Sequence, residues 1–148
     1  MNKILLINGP NLSQLSIRQP EVYGNLTLSD YENMAKEAAS SFGLDLQCFN
    51  SESESEIIRV IHDANNKYEG LIVNLGALTH YSWAIGDALK GYRGKVIELH
   101  ISNPAAREPY RQISVVASSG SGSIAGFGLL GYKIAVFALK ELFEASGQ

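Results

Sequence analysis

Five short apolar runs punctuate this chain: KILLIN (3–8), LDLQCFN (44–50), GLIVNLG (70–76), KVIELHI (95–101) and ISVVA (113–117). Runs of this length, apolar almost throughout, are what strands buried on both faces show. Helical patterns separate most of them. One runs from Leu28 to about residue 42, with Ser29 or Asp30 as its cap and Gly43 as its stop. A second is IIRVIHDANNKY, a third spans about His80 to Lys90, and the last runs from about Leu130 to Ala145. Strands alternating with helices predict a parallel sheet covered on both faces, that is, one three-layer α/β domain. The 148 residues suffice for a single core, and neither a repeat nor a linker divides them. The acidic run SESESE (51–56) sits where a first helical turn would welcome negative charge.

Composition removes several function classes. A net charge of -3 without a Lys/Arg cluster offers nothing to nucleic acid or to a membrane surface. No apolar run approaches the ~18 residues of a membrane span, and MNKILLING meets Gly-Pro too soon for a signal peptide. A single cysteine, Cys48, has no internal partner and reads as a small buried hydrophobe. Together these features predict a cytoplasmic protein.

In open α/β sheets ligands bind outside the carboxyl ends of the strands. The first strand is followed there by Asn8, Asn11, Arg18 and Tyr23, and the third by Asn74, Gly76, Thr79 and His80. The fourth ends in Glu98, His100, Ser102 and Asn103, with Arg107 and Arg111 beyond. Polar side chains therefore gather at one edge of the sheet.

Several chemistries fail on spacing. GFGLLG (126–131) fits G-x-G-x-x-G, but it precedes the last helix and no βαβ unit follows, so it reads as close backbone packing and turns, like SSGSGS before it. No Gly-Lys-Ser/Thr, no H-E-x-x-H and no G-x-S-x-G occurs, which leaves phosphate-loop, metal and serine-hydrolase readings unsupported. His62, within IIRVIHDA, reads as a helix-face residue. Acid–base chemistry without cofactor or metal remains.

His100 is the natural proton carrier, since imidazole titrates near neutrality. Glu98 lies two residues earlier on a strand and so shares its face; the bland alternative is a histidine satisfied at a sheet end. Tyr23 is a poor base unless a cation favours its phenolate, and Arg18 on the same segment could supply one. Equally, Tyr23 could anchor a loop and Arg18 be a solvated charge. Arg107 and Arg111 could bind an anionic or polyhydroxylated ligand or form a solvated turn. The backbone N–H groups of Ile101 and Ser102, with the Ser102 hydroxyl, could receive a carboxylate.

The motifs NGPNL, R-x-P-E-V-Y-G, N-x-G-A-x-T-H-x-S, E-x-H-I-S-N and R-E-P-Y-R, with GYxxA in the last helix, resemble type II 3-dehydroquinate dehydratase over nearly the whole chain. The resemblance implies a flavodoxin-like domain, a homo-dodecamer built as a tetramer of trimers, and no cofactor. It implies anti elimination of water from 3-dehydroquinate to 3-dehydroshikimate through an enolate, in the shikimate pathway or in quinate breakdown. Tyr23, activated by Arg18, would remove the C2 proton, and His100, oriented by Glu98, would protonate the departing C1 hydroxyl. Asn11 would hold the water that stabilises the enolate oxygen. Asn74, His80 and Arg111 would bind substrate hydroxyls, and Ile101 with Ser102 its carboxylate. Gly76 would support the site. Asp87 would reach into a neighbouring subunit's site, residues 18–24 would form a mobile lid, and Arg107 would lie near it. A weak relative serving as a binding or assembly protein is the rival reading, disfavoured because Arg18, Tyr23 and His100 are all present. A flavin carrier is disfavoured by the loop after strand one, which is not a Ser/Thr-rich phosphate cradle.

The chain departs from the family pattern at Ser13, Ser16, Gln19, Glu52, Ser55, Leu75, Leu78 and Gly86. These departures bear on the lid's hinge, on subunit contacts and on turnover, and none removes a catalytic side chain. Glu52 and Gly86 bear most on assembly.

Overall fold

A computed structural model describes residues 1–147, the side chains of Arg18 and Val22 excepted. Its strands are β1 (Lys3–Asn8), β2 (Asp45–Asn50), β3 (Gly70–Asn74), β4 (Lys95–His100) and β5 (Gly122–Ala125). They form one parallel sheet in the order β2-β1-β3-β4-β5. The helices are α1 (Leu15–Arg18), α2 (Pro20–Tyr23), α3 (Leu28–Ser41), α4 (Glu54–Ala64), α5 (Trp83–Lys90) and α6 (Leu130–Ala145).

Alternation along the strands builds two cores. Ile4, Leu6, Ile72, Ile97 and Leu99 face α3 and α6, where Tyr31, Ala35, Tyr132, Val136 and Leu139 are buried with them. Leu5, Ile7, Leu71, Val73 and Val96 face α4 and α5, against Ile57, Ile61, Ile85 and Leu89. Both sheet faces are thus apolar, and that is why the central strands read as unbroken hydrophobic runs.

The boundaries differ from expectation in physically instructive ways. Thr27, rather than Ser29 or Asp30, caps α3: its hydroxyl accepts from the Asp30 N–H at 3.4 Å, and Asp30 returns a bond to the Thr27 N–H at 2.8 Å. The second helix begins at Glu54, not Ile57, because the Ser53 hydroxyl caps it by accepting from the Glu56 N–H. The third begins at Trp83, where Ser82 caps it; residues 76–80 form a tight 3-10 turn instead.

The fifth strand is not ISVVA. That run crosses over α5, with Val116 buried and the Val115 N–H bonded to the Thr79 carbonyl at 2.8 Å. Val115 and Val116 pack against the core under α5, while Ile113 stays exposed, and the strand comes from GSIA, whose backbone pairs with β4 at the sheet edge. Pairing here is set by backbone hydrogen bonds, and an exposed edge asks little of its side chains.

The segment after β1, broken by Gly9, Pro10, Pro20 and Gly24, shows no helical pattern in its sequence. It contains two single turns, α1 and α2. Leu12 and Leu15 bury beneath it, and Tyr23 and Leu26 pack against the same core.

Candidate active site

The order β2-β1-β3-β4-β5 reverses direction between β1 and β3, so the loops leaving those strands diverge and open a crevice. Two glycines let the loops approach at its base. The Gly9 N–H donates to the Asn74 carbonyl at 2.8 Å, and a Cβ on Gly9 would lie 2.8 Å from the Leu75 oxygen. Gly76 has φ +58°, and its own added Cβ would stand 2.9 Å from the Pro10 oxygen.

The pocket there is lined by Asn11, Tyr23, Asn74, Gly76, His80, His100, Ile101, Ser102, Arg107 and Arg111, with Pro10, Leu12, Ala77 and Pro104 between them. Most of the residues expected to act together are therefore brought together. Asn11 turns the chain in the left-handed region (φ 69°), and its N–H donates to the Glu52 carboxylate at 3.0 and 3.2 Å. Asn74 is fixed by its Nδ2 donating to the Tyr132 hydroxyl at 3.0 Å, which donates in turn to Asn8 Oδ1 at 2.9 Å. Burial pushes the Tyr132 phenol upward, so it stays a neutral link in this chain.

The two histidines stack with centroids 6.4 Å apart and planes 13° from parallel. His80 Nδ1 lies 2.6 Å from the Ile113 carbonyl, an acceptor, so Nδ1 carries a proton and Nε2 of the neutral ring is free to accept. His100 Nε2 lies 2.5 Å from Glu98 Oε2. The carboxylate accepts there, which leaves His100 Nδ1 as the ring nitrogen not engaged by Glu98. Glu98 is only 4% exposed and sits behind His100 rather than in the pocket wall.

Across the pocket, Arg107 Nη1 donates to the Tyr23 phenol at 3.0 Å and to the Ser102 hydroxyl at 3.2 Å, while Nη2 donates to Gln19 Oε1 at 3.1 Å. The Arg18 side chain, expected to supply the cation for Tyr23, lies outside the described residues. The sequence offers Arg107 as a ligand for an anionic or polyhydroxylated group, as a solvated turn residue, or as a neighbour of this segment; five residues beyond Ser102, its reach to Tyr23 depends on how the loop folds. Arg111 lines the floor and bonds Glu108 at 3.2 Å, and the Glu108 carboxyl is held below the usual carboxylate range by a backbone hydrogen bond and then by Arg111. Asp87 does not join the pocket: it is exposed on α5. His62 is exposed on α4, as expected of a helix-face residue.

The family model for class II dehydroquinase matches residues 2–140. The chain belongs to the class II dehydroquinase family. It is 50% identical over 141 residues to a 3-dehydroquinate dehydratase of Bacillus cereus (strain G9842), covering 95% of this chain and 97% of that one. Its fold superposes on a type II dehydroquinase of Propionibacterium acnes with TM-score 0.91 at 40% identity, covering 95% and 97% of the two chains. A type II dehydroquinase of Butyrivibrio crossotus DSM 2876 gives TM-score 0.90 at 44% identity, covering 93% of this chain and 97% of that one.

Most departures from the family pattern now have a local account. Leu75 and Leu78 are buried in the core under α4 and α5. Gly86 lets Val115 pass close to α5, since an added Cβ would meet the Val115 oxygen at 2.8 Å. Gln19 gives Arg107 a neutral acceptor, and Glu52 clamps the Asn11 turn. Ser55 meets the Ser53 hydroxyl at 3.0 Å. Nothing in the structure explains Ser13 or Ser16.

Proposed function

We propose that this chain is a cofactor-free 3-dehydroquinate dehydratase, a hydro-lyase that forms 3-dehydroshikimate through an enolate in the shikimate pathway. The observation that carries the mechanism is the opposition of two proton-handling groups across one pocket. Tyr23 hydrogen-bonds a guanidinium on one side, and His100 is backed by a buried carboxylate on the other.

Tyr23 as phenolate removes the C2 proton, its charge stabilised by the Arg107 hydrogen bond and by Arg18. Imidazolium His100 delivers its Nδ1 proton to the departing C1 hydroxyl, while Glu98 balances the ring's charge. Asn11 at the pocket mouth orients a water toward the enolate oxygen. Asn74, His80 Nε2 and Arg111 hold the hydroxyls, and the Ile101–Ser102 turn receives the carboxylate with Arg107 nearby. Residues 18–24 act as a lid that brings Tyr23 into place once substrate is bound. No helix among the described residues is long and apolar enough to cross a membrane, and the enzyme works in the cytoplasm.

The working assembly is a trimer-based dodecamer in which Asp87 completes a neighbour's site. Tyr81 and Trp83, 62% and 72% exposed beside the pocket, give that assembly an apolar surface to cover.

The deciding experiment follows the enone absorbance of the product after 3-dehydroquinate is added to the purified chain in chelator. Steady product formation that persists after borohydride treatment with substrate is expected. Absence of product, or inactivation by borohydride, overturns the reading. A monomer in light scattering at micromolar concentration overturns the shared site.

A further inference from the structure

Glu98 is the one buried carboxylate among the described residues, and its second oxygen is not turned to the histidine. Glu98 Oε1 accepts from the Ser114 hydroxyl at 2.9 Å. Ser114 belongs to the ISVVA run that crosses α5, so a segment outside the sheet reaches back to the residue behind the pocket. The serine's proton has one direction available to it. Its oxygen already accepts from the Val116 N–H at 3.3 Å and the Ala117 N–H at 3.0 Å, and the carboxylate is an acceptor only. The resulting chain runs from two backbone amides through Ser114 and Glu98 to His100 Nε2, and every member has its partner.

We infer that Ser114 is a positioning residue for proton delivery: it holds Glu98 oriented, and through Glu98 fixes the His100 ring with Nδ1 facing the pocket. This rests on the reading of His100 as the proton donor to the leaving hydroxyl. Because Glu98 is almost wholly excluded from water, solvent does not replace a lost donor readily. A carboxylate deprived of one of its two donors is held less firmly against the ring, and an imidazolium whose counter-charge is displaced is less well stabilised.

The surroundings favour this division of labour. On β3 and β5 the register neighbours of Glu98 are Val73 and Ser123, both uncharged. His80, from the turn after β3, lies against His100, and Arg111 faces the same pocket from its own turn. Asp87 of α5 points to solvent.

A serine that merely tied down the 114–117 turn would affect stability and nothing else, and kinetics separate the two. Ser114→Ala is expected to lower kcat about tenfold with KM held within about twofold, and to move the basic limb of the kcat–pH profile, where His100 gives up its proton, down by about one unit. Ser114→Thr, which restores a hydroxyl, returns the limb toward its parental position. Ser114→Cys keeps the volume but is a weak donor, and it behaves like Ser114→Ala even if the alanine variant folds poorly. Parental kcat and an unmoved limb in folded Ser114→Ala or Ser114→Cys overturn the inference, as does failure of folded Ser114→Thr to recover. His100→Asn distinguishes the levels. If it is inactive while the Ser114 variants match the parent, only the positioning role falls; if it is fully active, the donor reading falls and the inference with it.

Discussion

The two walls of the pocket are built to different standards. On the His100 side the proposed proton donor stands at the end of an interior strand, and its carboxylate partner is 4% exposed with both oxygens bonded. On the Tyr23 side the corresponding group ends a single-turn helix, in a segment where Ile17 is 76% exposed. One-turn helices do not hold themselves in water. That segment is held instead by Leu12 and Leu15 beneath it, by the Tyr31 hydroxyl donating to the Tyr23 carbonyl at 3.2 Å, and by Arg107 bonding both Tyr23 and Gln19. The proposed acid is pre-organised by the sheet, whereas the proposed base depends on contacts made across a gap. An enzyme that must admit its substrate gains by concentrating adaptability in one wall.

The harshest way to break this contrast is to disable the adaptable wall alone. Tyr23→Phe should cut kcat by about 10²–10⁴-fold with KM nearly kept, since it removes a proton acceptor and little shape. Arg107→Ala should cost somewhat less. It should also move the acidic limb of the kcat–pH profile upward, because a phenolate that loses a guanidinium donor forms at higher pH. Steady-state kinetics across pH checks both. A fully active Tyr23→Phe enzyme would remove the base from the proposal, and an unshifted Arg107→Ala profile would mean that other contacts carry the charge.

The same contrast explains what could be read from sequence. The His100 wall was legible because strand alternation puts Glu98 and His100 on one face whatever the loops do. Gly76 and the asparagines after β1 and β3 were legible as a sheet-end cluster by the same rule. Contacts made by chain segments far apart were not. Arg107 reaches Tyr23 across 84 positions and Ser114 reaches Glu98 across 16, and no periodicity encodes either. Misplacement of the fifth strand has a related cause: Val115 and Val116 answer to burial over α5, while the true edge strand is specified by backbone pairing.

Where the two walls meet, backbone touches backbone. Gly76 has φ +58° and stands against the Pro10 oxygen, joining the loop after β3 to the loop after β1. Gly76→Ala is expected to cost about 2 kcal/mol, from a left-handed alanine plus the displacement of Pro10. The melting temperature should fall by roughly 4–8 °C, as read by calorimetry. Because the strain falls on the junction, KM should rise as well. An alanine variant that melts with the parent would show that the junction yields, and that the His100 wall is less fixed than its hydrogen bonds suggest.

The smallest effect tests the platform beneath both walls. Cys48 lies on β2, paired in register with Leu6 of β1, and packs against the core that also anchors Leu12 and Leu15. Burial first, and then the nearby Glu32 carboxylate, pushes its thiol up to about 11. The folded protein therefore keeps this proton where the unfolded chain, with an ordinary thiol, gives it up. The stability this contributes is complete below about pH 9 and is lost as pH rises toward about 11. Since the thiol is only partly buried, the loss by about pH 10 should stay below about 1 kcal/mol. Cys48→Ala lacks the titration, so denaturant unfolding should show the gap between parent and variant narrowing from pH 7 to about pH 10. Comparing the two cancels the lysines and tyrosines that titrate in the same range. A gap that stays constant would mean that solvent reaches the thiol, and that the sheet under the adaptable wall is looser than its packing indicates.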